Sequence, residues 1–173
     1  MLYGESKGYL LEKLVAAGLK SKPYTTEKAL LKSQESHVGA VLFENEGLSR
    51  NHSKTYYKDQ EGAQKKRRKV FNRKLTFSVV IGGYTDDEVE AMFEQFLASL
   101  DRGIYVGGNF VPIEVEEADW VNKDDSILKA QVAVQIKISF DGGLYKDTDF
   151  GRLSRMEVEA EDINKGKEQT DGD

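Results

Sequence analysis

The sequence predicts an α+β fold, with a mixed, largely antiparallel sheet and amphipathic helices packed on one face. Three segments carry this prediction. Residues 70–81 and 130–140 alternate between apolar and polar side chains, which is typical of long strands with one buried face. Between them, residues 85–100 place apolar side chains at helical spacing. A small number of long strands, each with one solvent-exposed face, favours a two-layer architecture. In it a layer of helices covers the apolar side of the sheet.

The size and composition predict one domain and a polar tail. The chain has 173 residues, of which 39% are apolar and 32% are charged. This length fits one domain, which we assign to residues 1–150. Residues 151–173 carry seven acidic and four basic side chains and no aromatic residue. Such a segment buries too little surface to offset its loss of conformational entropy, so we predict an acidic, mobile C-terminal tail.

The residue types present exclude several kinds of site. The chain has no cysteine, which rules out disulfides, thiolate zinc sites, iron–sulfur clusters and a cysteine nucleophile. Its two histidines, His37 and His52, have no partner at a metal-ligand or catalytic spacing. No stretch is apolar enough to span a membrane, and the first residues do not resemble a signal peptide. We therefore expect an intracellular protein with no catalytic residue, no metal, no cofactor and no membrane partner.

The first part of the chain predicts two helices and one strand. Residues 5–17 place their apolar side chains on one helical face, and residues 25–31 predict a shorter helix with a poor capping signal. Residues 37–44 carry apolar side chains at both odd and even positions, so both faces of the strand they predict would be buried within the sheet. We predict that this strand ends at residues 45–47. The polar residues 48–63 then predict a loop or an irregular edge.

The middle of the chain predicts a strand, a turn and a helix. The strand at residues 70–81 is followed by Gly82-Gly83, which we interpret as a turn. Thr85 and Glu88 have the spacing of a capping box, in which each side chain accepts from the backbone N–H of the other. The apolar stripe that follows, residues 89–100, predicts a helix that packs on the sheet.

Two further strands are predicted in the second half. Residues 111–121 alternate, with a bend near Ala118, and residues 130–140 give the clearest alternation in the chain. Two more Gly-Gly pairs, at 107–108 and 142–143, are interpreted as turns, and the second is predicted to end the last strand.

The basic segment, residues 65–74, is the most conspicuous local feature. Its candidate interface residues are Lys65, Lys66, Arg67, Arg68, Lys69 and Arg73. Such a run is typical of a phosphate-binding surface, a nuclear localisation signal or a solvated arm that contacts protein. The whole chain has a net charge of −5, whereas nucleic-acid-binding domains are usually basic. We therefore favour an acidic surface on another copy of the chain over nucleic acid as the partner.

The acidic cluster is the second candidate. It comprises Glu114, Glu116, Glu117 and Asp119. Carboxylates this close in sequence can bind a divalent cation or act as acid and base. Strand alternation, however, places Glu114 and Glu116 opposite the apolar side, which favours a solvated acidic surface.

The order of these segments resembles the tail terminator, or tail-completion, proteins of long-tailed bacteriophages and prophage-derived tail-like particles. The resemblance covers residues 37–143 and is carried by HVGAVLFENE, KKRRKVFNRKLTFSVVIGG, TDDEVEAMFEQFLASL, VPIEVEEADW and ILKAQVAVQIKISFDGG. It implies a structural protein without cofactor or catalytic residue. About six copies would form a ring on the tail tube and face the head-side connector. The implied partners are further copies of the chain, the tail tube protein and the head-tail connector protein. The implied locations are the host cytoplasm during assembly and then the virion tail.

Three functions of different classes follow as hypotheses. The leading one is a ring-forming virion assembly protein in which the basic segment meets the acidic cluster of a neighbour. The second is a nucleic-acid-binding module that uses the basic segment. The third is a small enzyme with a metal bound by carboxylates between Glu114 and Asp125, for which the sequence supplies no motif.

Overall fold

The computed structural model of the protein describes residues 1–33, 35–122, 130 and 132–149. Within these residues the chain forms an α+β fold, as predicted, with three helices and a six-stranded sheet. The helices are α1 (Leu2–Ala16), α2 (Glu27–Leu31) and α3 (Asp86–Ser99). The strands are β1 (Val38–Arg50), β2 (Lys54–Lys58), β3 (Gln64–Gly83), β4 (Gly103–Val106), β5 (Asn109–Asn122) and β6 (Val132–Asp149). The predicted tail, 151–173, lies outside the described residues.

The sheet is built around the two longest strands, β3 and β6. The strand order is β1-β3-β6-β5-β4, and β2 pairs with β3 beyond the end of β1. All pairings between these strands are antiparallel. The described residues also contain an isolated parallel bridge, between Tyr24 and Ala40.

One face of the sheet carries most of the core. Here α1 and α3 cover the apolar side chains of the central strands, as predicted, with Phe77, Phe96 and Phe140 all fully buried. We call this face the helix face and the opposite one the open face. On the open face the five-residue helix α2 packs Leu30 against Ala40, Val80 and other small side chains.

The central strands extend well beyond the helices. At about 3.3 Å per residue, the 20 residues of β3 span roughly 65 Å, whereas the 15 residues of α1 span about 22 Å. The uncovered end consists of β2, residues 64–70 of β3 and residues 144–149 of β6, and we call it the arm. The predicted strand end at 45–47 is wrong, because β1 continues to Arg50. Of the two alternatives predicted for 48–63, the loop is wrong for most of the segment, whereas the irregular edge agrees with β1 and β2, which both pair with the outer side of β3 with a break at 51–53. The reason is that this part of the hairpin is exposed on both faces and lacks the alternation of a half-buried strand.

The three Gly-Gly pairs have different roles. Gly107 and Gly108, at φ +56° and +77°, form the two-residue turn between β4 and β5, as predicted. The pair at 82–83 instead forms the last two residues of β3, and the pair at 142–143 lies inside β6, so both turn predictions are wrong there. At Gly142 a Cβ atom would lie 2.5 Å from the Leu2 side chain, so glycine allows α1 to approach the strand closely.

The N-terminus of α3 differs in detail from the predicted capping box. The Thr85 hydroxyl accepts from the Glu88 N–H at 3.3 Å, as predicted. The Glu88 carboxylate accepts from the Tyr84 N–H at 3.2 Å, one residue earlier than predicted, and its other oxygen contacts His37 Nδ1 at 3.1 Å. This carboxylate therefore ties the start of α3 to the residue that precedes β1.

We predict that Phe77→Ala lowers the free energy of unfolding by about 3–5 kcal/mol, because it leaves a cavity in the fully buried core. The Phe77 ring contacts Phe140 and Phe43 at centroid distances of 5.9 and 5.6 Å. Urea unfolding followed by circular dichroism measures the change. Phe43→Ala is the matched control, since that ring is 41% exposed and its removal should cost clearly less. Equal losses for the two variants would contradict this description of the core.

Candidate partner interface on the sheet arm

The arm divides the basic segment between the two faces of the sheet. Arg67 lies across from Asp147 in the register and on the same face as Tyr145, which is the open face. Because neighbouring side chains of a strand point to opposite faces, Lys66 and Arg68 lie on the helix face. The sequence predicts one basic surface, whereas the strand divides these side chains between two faces.

Arg67 is engaged within the chain. Its Nε and Nη2 atoms each donate to the Asp147 carboxylate at 2.7 Å, and its guanidinium lies 5.0 Å from the centre of the Tyr57 ring. Its Nη1 donates to Asn109 Oδ1 at 3.2 Å, which holds the β4–β5 turn against the arm. The hydrogen bonds from Arg67 lower the pKa of Asp147, and those to Asp147 raise the pKa of Arg67. These contacts give Arg67 a structural role.

Three further basic positions have neighbours on the same chain. Arg73 pairs with Glu46 on the adjacent strand, and Lys65 Nζ lies 3.8 Å from Asp59 at the tip of the hairpin. Lys69 lines a cleft of about 480 Å³ between the arm and the β4–β5 turn. Its neighbours there include Tyr57, Phe110 and Tyr145.

The acidic cluster lies on β5, and its side chains are exposed, as predicted. The register shifts between Val115 and Glu117, which leaves Glu116 as a bulged residue. Two lysines of the same chain meet the cluster. Lys74 Nζ lies 2.7 Å from Glu116 and 3.7 Å from Glu114, and Lys137 Nζ lies 3.1 Å from Glu117. The hydrogen bond with Lys74 lowers the pKa of Glu116.

Within the described residues, Asp119 is the member of this cluster that has no basic side chain within 4.0 Å. The predicted contact between the basic segment and the acidic cluster of a neighbouring copy stays a prediction. The structure shows that three of the four carboxylates already have partners on β3 and β6 of their own chain.

The helix face of the arm carries a row of cations that the sequence analysis missed in part. Lys54, Arg68 and Lys146 lie directly across from one another on three adjacent strands, and all three are exposed. In the part of the chain that the structure describes, none has a carboxylate within 4.0 Å. Lys54 and Lys146 carry no local sequence signal, because only the strand register brings them to Arg68. We call these three residues the cationic row.

An apolar patch adjoins the cationic row. Leu48, Phe71 and Leu144 lie on the helix face between the row and the start of α1, and Leu48 and Leu144 are 63% and 49% exposed. Tyr56, 60% exposed, lies on the same face on the other side of the row. The helix face of the arm therefore combines positive charge with exposed apolar surface, a composition that fits a protein partner.

The described residues show no arrangement typical of a metal centre. They contain no group of three or more His, Asp or Glu side chains placed to hold a metal ion. The open face has a groove of about 680 Å³ beside α2, whose lining includes Thr26, Leu30, Leu42, Val80 and Gln135. No helix in the described ranges is long and apolar enough to cross a membrane.

Comparison of the sequence with protein-family models gives no match, and neither does its comparison with curated proteins.

We predict that Asp147→Asn lowers the free energy of unfolding by about 1 kcal/mol or less at pH 7, because both partners are partly exposed. The folded-state pKa of Asp147 lies below its ordinary value of 3.8. The stabilisation is therefore present above that value and is lost as the pH falls through the folded-state pKa. Unfolding measured from pH 7 to pH 3 should show the variant and the native protein converging at the acidic end. The control is Asp119→Asn, which removes a carboxylate that has no basic side chain within 4.0 Å among the described residues. A similar pH-dependent loss there would contradict the assignment.

Proposed function

We propose that this protein is a structural virion assembly protein, which caps the tail tube as a ring and joins the tail to the head-side connector. The observation that carries the proposal is the arm, which extends past the helices with two strand edges available. Among the described residues, β2 pairs only with β3, and β6 pairs only with β3 beyond Phe140. Long free edges are places where another chain can add a strand, and monomeric proteins usually protect them.

The length of the arm suits contact between copies. Residues 64–70 of β3 extend about 23 Å, far enough to lie against the body of an adjacent molecule. A closed ring needs two different and complementary surfaces on each copy, so that every molecule uses one surface on each side. The resemblance of residues 37–143 to tail terminator proteins suggests about six copies, assembled in the host cytoplasm and then retained in the virion tail.

We expect the purified protein to bind the open end of isolated tail tubes as a ring. Sedimentation with tubes, followed by electron microscopy of tube ends, measures this directly. Light scattering of the protein alone shows whether rings form before the tube is reached. A protein that stays monomeric at high concentration and does not bind tubes would contradict the proposal, whereas a monomer that assembles only on tubes would support it.

The alternative function is a nucleic-acid-binding module that uses the basic segment. The observation in its favour is the cationic row, whose three exposed positive charges have no carboxylate within 4.0 Å among the described residues. Tyr56 lies beside the row and could stack on a base.

If this alternative is correct, the affinity for single or double strands should fall steeply with salt, because each phosphate contact releases a counterion. With about three contacts, affinity should fall by roughly tenfold or more between 50 and 200 mM salt. Fluorescence anisotropy with labelled oligonucleotides measures this. No binding at low salt would exclude the alternative.

A further inference from the structure

We propose that the helix face of the arm docks on the exposed acidic side of α3 in a second copy of the chain. This proposal rests on the proposed function and names the surfaces that join neighbouring copies. It follows from three observations, namely an unbalanced cationic surface, an unbalanced acidic surface, and a separation that prevents them from meeting within one molecule.

The first observation is the cationic row. Side chains directly opposite one another in an antiparallel sheet have Cβ atoms about 5 Å apart, so like charges at such positions repel. Lys54, Arg68 and Lys146 occupy two such pairings in succession, while carboxylates elsewhere on the arm, such as Asp147, are engaged on the open face. A row of this kind disfavours the isolated arm. An acidic partner would relieve the repulsion.

The second observation is the outer side of α3. Asp86, Glu90 and Glu94 follow one another at intervals of four residues and are exposed, along the side of the helix that flanks its buried side chains. Among the described residues, no basic side chain lies within 4.0 Å of any of them. Acidic residues in the first turn favour the helix dipole, but Glu94 lies beyond that turn and repels Glu90. The helix therefore carries more negative charge than its own stability explains.

The third observation is the distance between the two surfaces. Arg68 and Gly83 are separated by 15 residues of one continuous strand, which is about 50 Å, and α3 begins after Gly83. Screening at physiological salt acts over about 8 Å, so the cationic row and the acidic helix do not neutralise each other within one chain. Their complementarity can act only between copies.

The composition of the two surfaces favours protein over phosphate as the partner. The cationic row lies between Tyr56 and the exposed side chains of Leu48 and Leu144. On α3, the exposed Ala91 and Ala98 lie among the acidic residues, so another chain can approach the helix closely. The contact joins two different surfaces, and such heterologous contacts generate closed rings when the rotation between neighbours closes.

A charge-swap experiment tests the proposal on the full chain. The arm variant carries Arg68→Glu and Lys146→Glu, and the helix variant carries Glu90→Lys and Glu94→Lys. Each variant alone has two like-charged surfaces, so the concentration for half-maximal assembly should rise by about tenfold or more. An equal mixture has opposite charges at every contact and should regain assembly. Light scattering and analytical ultracentrifugation measure both effects, with and without tail tubes.

The control is Lys28→Glu with Lys32→Glu, which makes the same charge change on exposed residues in and beside α2, on the open face. Thermal unfolding of each variant checks that it folds, and Glu90→Gln with Glu94→Gln replaces the helix variant if it does not. The glutamine variant only removes the two negative charges, so it should weaken assembly less than the lysine variant, which reverses them.

The outcomes separate this interface from the function on which it rests. If the native protein forms rings and both charge-reversed variants assemble equally well, the interface is wrong and the proposed function survives. If the native protein neither binds tail tubes nor forms an oligomer, both the interface and the proposed function are wrong. A third outcome is that the native protein stays monomeric and binds an oligonucleotide, and that the arm variant loses this binding. It would overturn the proposal and identify the cationic row as a phosphate-binding surface.

Discussion

The pairing of β3 with β6 is the constraint on which the rest of the structure depends. It runs from Lys65 opposite Asp149 to Gly83 opposite Val132, through one irregularity between Lys69 and Phe71. β1 and β2 pair with β3, β5 pairs with β6 and carries β4 on its outer side, and α1 and α3 cover the apolar half of the central pair. The inner half is stabilised by burial of large side chains, whereas the arm depends on backbone hydrogen bonds and local side-chain contacts. The molecule therefore has a well-packed body and an end with little core of its own.

This division explains which elements the sequence reveals. The strands at 70–81 and 130–140 and the helix α3 were predictable because each packs large apolar side chains against the core on one side only, which imposes a period on the sequence. The prediction that the other side of the two strands is solvated is wrong in the centre of the sheet, where Thr76, Ser78 and Ser139 are buried. The arm is exposed on both faces, so its strands carry no such period, and for β2 the sequence predicts only a loop or an irregular edge. Gly142 was misinterpreted for a related reason, because it accommodates the close approach of Leu2 rather than a change of direction.

The candidate site was predictable in composition but not in arrangement. The sequence identifies the basic segment and the acidic cluster, since each is a local run of charge. It does not reveal that Arg67 pairs with Asp147, 80 residues away, or that a bulge at Glu116 brings the cluster to Lys74. Register and bulges are set by the whole sheet, so charges that are distant in sequence become partners. The cationic row is invisible in the sequence for the same reason.

The alternation of the arm then decides how a partner can approach. On the open face, Arg67 holds Asn109 and the β4–β5 turn, so the chain itself occupies much of that surface. On the helix face, α1 begins near Gly142, and nothing in the described chain covers the cationic row beyond it. One side of the same strand is thus used to brace the arm internally, and the other keeps its charge exposed. Because a one-residue shift in register would exchange these two faces, the Arg67–Asp147 pair also fixes which charges the arm presents.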